Sequence, residues 1–387
     1  MQEITNTERD QRNYGIDLLR VLSMCFVVVL HALGQGGVLA AVPDGTGASV
    51  SAHFLESLTY GAVDIFALIS GYVSFSAVSK KTRLSSWLLL WLETAFYGVA
   101  VTLAFCLIRP DEVPLSRAKG MYLPLYNYIY WYFTAYTGLF VIRPLLDAGV
   151  RAASERCAKR VFIAIFCAFS VYEAFRPQFK LAGGYSFAWI TLLYLMGATM
   201  RKCGIGARMR PLAALAAILV LSGVNCVWVV FPSVIPAALR GDSPLSYVSP
   251  TVLATAVCFV IGFAHLRIGK GMRAVIRFAA PGAFAVYLLN THPLVWSMVL
   301  QDRFVPLAAK PAWAMLGGLL GFSLAFTAAA LLVDKLRQLL VKLLRIRTAA
   351  EAVERLAEKC VDWVGERLSQ LHFTKRSGCA ALRLLFF

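Results

Sequence analysis

Ile16-Asp17-Leu-Leu-Arg20-Val-Leu-Ser-Met-Cys-Phe-Val-Val-Val-Leu-His31-Ala-Leu33 is an apolar run interrupted by a few ionisable groups. A run of about this length suits a hydrocarbon core roughly 30 Å thick. Arg20 and His31 are eleven residues apart, three helical turns plus roughly 20°, so both leave the same face of a helix, roughly 17 Å apart along its axis. That stripe carries a cation near one membrane surface and a titratable base deeper in. Ionisable groups inside a membrane are costly, so each is a functional candidate. The plainer readings are that Arg20 snorkels and pairs with Asp17, and that His31 hydrogen-bonds a neighbouring helix.

The same pattern recurs outward from this run. Hydrophobic residues make up 59% of the 387-residue chain and charged ones only 15%. Soluble domains run near a quarter charged, so this chain lacks the polar surface to coat a globule in water. Apolar stretches at 16–33, 54–78, 84–108, 128–146, 161–176, 186–200, 211–231, 249–266, 278–300 and 312–333 predict an all-α, polytopic transmembrane helix bundle of about ten helices. Loops 79–83, 147–160, 201–210 and 267–277 together hold 15 Lys and Arg, and the alternate connections hold fewer than half as many. By the positive-inside rule both termini are cytoplasmic. The net charge of +17 is thereby a matter of topology. Without a basic-aromatic module, it does not point to nucleic acid. The first run is too long for a signal-peptide core, although Leu39-Ala40-Ala41 loosely resembles a cleavage site, and is read as an uncleaved helix.

Residues 1–333 read as the transmembrane domain and 334–387 as a cytoplasmic amphipathic tail. The tail opens on a basic run from Asp334 to Arg347, with charges at helical spacing suited to an anionic leaflet. The nine cysteines avoid the outer loops, so no disulfide framework is expected, and no spacing suggests a metal site. Further polar intruders are Asp64 and Ser70 in the second span, Glu93 in the third, and Asn290 with His292 in the ninth. Asp64 lies at about the depth of His31 by residue count, where a carboxylate can accept from one imidazole nitrogen and leave the other basic. Packing or capping is the competing role. Ser70-Gly71 reads first as a close helix contact. His292, before Pro293, marks either a cavity wall or a kink held by local hydrogen bonds. Ser70, Glu93, Asn290 and His292 are kept as possible cavity-lining residues.

Arg20-x10-His31 in the first span, Phe66-Ala-Leu-Ile-Ser70-Gly71-Tyr72, the basic Lys80-Lys81-Thr-Arg83, Tyr130-Trp131-Tyr132-Phe133, Arg143-Pro144 and Tyr287-Leu-Leu-Asn-Thr-His292-Pro293 together resemble the integral membrane acyltransferase-3 family, over about residues 13–333. The resemblance implies ten helices and transfer of an acyl group, usually acetyl, from cytoplasmic acyl-CoA to a hydroxyl of a cell-envelope or lipid-linked carbohydrate. It implies that His31 is the catalytic histidine, with Arg20 and the basic loop of Lys80, Lys81 and Arg83 at the donor. A paired Arg-x-x-Arg of some members stands here as Lys80-x-x-Arg83. Acyl-CoA would be a co-substrate, with no tightly bound cofactor. The bilayer and the glycan would be the other partners. The alternative reading is an exporter of a sugar or surface polymer, with the same charges lining its pathway.

Overall fold

The computed structural model describes residues 12–75, 82–115, 121–127, 129–234 and 245–370, with 368–370 described by their backbone alone. Among them all regular structure is helical. The main helices are α1 (Tyr14–Leu33), α2 (Gly47–Thr59), α3 (Ala62–Ser74), α4 (Leu84–Ile108), α5 (Trp131–Ala152), α6 (Glu155–Phe166), α7 (Phe187–Cys203), α8 (Pro211–Val230), α9 (Pro250–Ala264), α10 (Lys270–Ala279), α11 (Ala283–Asn290), α12 (Ala312–Leu343) and α13 (Ile346–Gln370). Among the described residues six helical stretches are long and apolar enough to cross a membrane: Tyr14–Ala41, Gly47–Ser74, Leu84–Ile108, Pro211–Val230, Lys270–Asn290 and Ala312–Leu343. Pro250–Ala264 is a shorter apolar helix.

Local chemistry sets the boundaries. Asn13 caps α1, its side chain accepting from the Gly15 and Ile16 amides while donating to the Ala264 carbonyl. Ser186 caps α7 through the Trp189 amide, and proline opens α8 and α9. The ninth apolar stretch breaks after Asn290, because Pro293 pushes His292 to an extended conformation. Two expected boundaries move. The second stretch is already helical from Gly47, with its break at Tyr60-Gly61. α12 runs through residue 333 to Leu343, since nothing in Asp334–Lys342 opposes a helix.

The described residues within Met1–Ser76 and Ser154–Leu331 form one compact unit, and those within Ala77–Ala153 and Leu332–Phe387 form a second. In the first unit α3 and α7 make the most extensive helix contact. A Cβ on Gly71 would stand 1.9 Å from the Tyr194 carbonyl oxygen, and one on Gly197 would stand 2.0 Å from that of Leu68. Helices in lipid gain little from burying apolar surface and associate through such close approach. The Ser70-Gly71 pair is therefore a packing contact, with the Ser70 hydroxyl donating within its own helix to the Phe66 carbonyl at 3.0 Å. In the second unit α4 packs against α13.

Candidate functional site

His31 lies in the last turn of α1, half-buried. Its Nδ1 meets Oδ1 of Asn290, the fully buried last residue of α11. The edge of Trp296 closes on the imidazole, with ring centroids 4.5 Å apart and planes at 72°. An amide oxygen only accepts, so the contact as it stands calls for the proton on Nδ1, the tautomer in which Nε2 carries the lone pair. The arrangement can take a proton from a hydroxyl presented at Nε2 and can return it. One of the two readings of Asp64 has its carboxylate orient this ring, and the structure gives that contact to a neutral amide instead. Nothing in the spacing of residues 31 and 290 foretells it, because the pair forms only when α11 docks on α1.

Asp64 has a different environment. It is fully buried in the first turn of α3, and its Oδ1 accepts from Trp189 Nε1 at 3.0 Å. Its other oxygen has no hydrogen-bond partner. The structure thus separates the expected pair: Asn290 holds His31 and Trp189 holds Asp64. His292 caps the helical turn that starts at Pro293, its Nδ1 accepting from the Leu294 amide at 3.2 Å, which favours the locally bonded kink. Trp189 and Trp296 were not singled out from sequence. Each is one aromatic among many in an apolar chain, and only its contact distinguishes it.

Arg20 pairs with Asp17 at 3.2 Å, as the snorkelling reading expects. Asp17 also receives Arg12 Nε at 2.5 Å. Arg12 and Arg273 both lie over the ring of Tyr14, at 5.3 and 5.4 Å. Three guanidiniums therefore gather with one carboxylate at the start of α1, a local excess of positive charge suited to anions. Arg273 joins this group only through the fold, whereas Arg12 stands five residues before Asp17.

In the second unit, Arg83 stands before α4 and faces α13, with one terminal nitrogen 3.1 Å from Glu351 and 3.5 Å from Glu354. The hydrogen bond to Glu351 first, and the charge of Glu354 next, raise the Arg83 pKa above its ordinary value. Lys80 and Lys81 lie outside the described residues. Glu93 pairs with Arg337 of α12 at 3.2 Å and borders an apolar cavity. Asp334, fully buried, accepts from Arg337 Nε at 2.6 Å, from the Tyr97 hydroxyl at 2.9 Å and from Gln338 Nε2 at 2.6 Å.

A family model described as an acyltransferase domain matches residues 13–333. No curated protein and no solved structure matches the chain.

Proposed function

From the premise that this chain belongs to the acyltransferase-3 family, as the match over residues 13–333 shows, we propose that it transfers an acyl group, acetyl foremost, from cytoplasmic acyl-CoA to a hydroxyl of a cell-envelope carbohydrate or lipid-linked glycan. The observation that supports this reading is the His31–Asn290 contact, which fits an imidazole with its basic lone pair on Nε2. The acceptor hydroxyl gives its proton to Nε2 as its oxygen attacks the thioester carbonyl. The tetrahedral intermediate collapses with cleavage of the C–S bond, and the imidazolium proton passes to the departing thiolate. General-base assistance of this kind contributes typically about 10²–10⁴-fold.

Donor phosphates would be met by arginine. Arg20 stands within the guanidinium cluster at the start of α1, and Arg83, with Lys80 and Lys81, forms the basic loop that the family resemblance assigns to the donor. Acyl-CoA serves as a co-substrate with no tightly bound cofactor. The proposed setting is a bacterial cytoplasmic membrane crossed about ten times, with both termini inside, which the excess of Lys and Arg in alternate loops supports. Single cysteines at Gly45 and Gly206 test this: only the first should react with an impermeant reagent, and the reverse would invert the orientation. Purified protein given labelled acetyl-CoA should consume the thioester and label the envelope glycan. A protein that leaves acetyl-CoA intact with acceptor present sinks the proposal.

A further inference from the structure

The second unit contains a cavity of about 560 Å³ that the transfer reaction does not use. Its size lies within the roughly 300–1,000 Å³ of small-molecule sites. Leu92, Phe96, Val99 and Ala100 of α4 face Leu340 and Val341 of α12 across it. Among its described lining residues the charged ones are Glu93 and Arg337, of opposite sign and 3.2 Å apart.

The hydrogen bonds around this pair are unequally shared. Asp334 takes Arg337 Nε, the Tyr97 hydroxyl and the Gln338 amide, and Lys335 gives a hydrogen bond to Gln338 Oε1 at 3.1 Å. Glu93 Oε1 is buried beside the guanidinium yet accepts no hydrogen bond. A buried carboxylate oxygen without a donor is costly, and an occupant bearing N–H groups relieves that cost with a charge-assisted bond. The guanidinium has five N–H donors, more than its two carboxylate contacts use, and can meet an anion on the same occupant. Depth agrees with a lipid head group. Residues 312–333 of α12 carry no charge, and Asp334 and Arg337 follow at once.

We propose that the cavity holds one acyl chain of a bilayer phospholipid with an aminoethanol phosphodiester head, its ammonium donating to Glu93 and its phosphate meeting Arg337. A choline head has the same charges but no N–H to donate, and a glycerol head has no cation. The site therefore separates three lipids that share a tail.

Native mass spectrometry of the full chain, purified in detergent and given equal dioleoyl phosphatidylethanolamine, phosphatidylcholine and phosphatidylglycerol, tests this. The ethanolamine lipid should be retained about tenfold over the other two, the worth of one charge-assisted bond. Equal retention of all three by the wild-type protein, which is annular lipid only, overturns the proposal. Glu93→Gln should bring the ethanolamine lipid down to the level of the choline lipid, and a preference that survives it also overturns the proposal. Ala100→Trp, which fills the cavity without touching the ion pair, should lower retention of all three. Unchanged retention there removes the cavity from the account.

Discussion

His31 and Glu93 are both ionisable groups on apolar helices, and the fold treats them in opposite ways. His31 meets a neutral amide and the edge of an indole, neither of them charged. Glu93 meets a guanidinium that is itself fixed by Asp334, so its carboxyl sits within a bonded network. On the proposed reading a general base needs an open lone pair, while the second setting ties its carboxyl into an ion-pair network. The proposed reaction uses the histidine, and the ion-pair network ties α4 to α12.

The largest expected effect tests the reactive side. His31→Gln keeps hydrogen-bonding capacity but cannot accept the proton, so kcat should fall about 10²–10⁴-fold, close to His31→Ala, with donor binding retained. Substantial activity in His31→Gln would return this residue to packing. On the anchored side, Asp334→Leu leaves Arg337 with only the poorly bonded Glu93. Breaking such a buried pair costs about 3–5 kcal/mol, visible as a lower Tm. An unchanged Tm would mean that the network is incidental.

A smaller effect is expected where the amide supports the base. Asn290→Leu removes the acceptor for Nδ1–H, which is most needed once the ring becomes an imidazolium. A loss of about 1.5–3 kcal/mol, roughly ten- to hundredfold in kcat, should follow, with donor KM unchanged. Asn290→Asp, which keeps an acceptor, should recover much of it. A rise in KM alone would place Asn290 in substrate binding instead. Arg83→Ala should raise the donor KM several-fold while kcat at saturating donor holds, because phosphate is met equally in the ground and transition states. Glu351→Gln, by loosening the carboxylate grip on Arg83, should shift KM the other way. The least effect is expected at Asp64. Asn at this position still offers an oxygen to Trp189 Nε1, so Asp64→Asn should change kcat by less than Asn290→Leu does. A larger loss would restore the carboxylate to a role beside the base.

Much of this was readable from composition and period. Apolar runs long enough for a bilayer can only be helices, since backbone groups in lipid must be satisfied within the segment. The eleven-residue spacing of Arg20 and His31 likewise follows from helical geometry alone. The close approach at Gly71 was legible as well, because a small residue in an apolar helix has few other uses. The partners were not. Asn290 rather than Asp64 holds His31, Trp189 rather than His31 holds Asp64, and Glu351 faces Arg83, in each case across a long stretch of chain. Sequence by itself determined which residues sit on which helix face, because that depends on local backbone geometry. Tertiary structure alone decided which polar atoms meet, because helix rotation and depth are set by packing against neighbours, and an ångström or two separates a hydrogen bond from none.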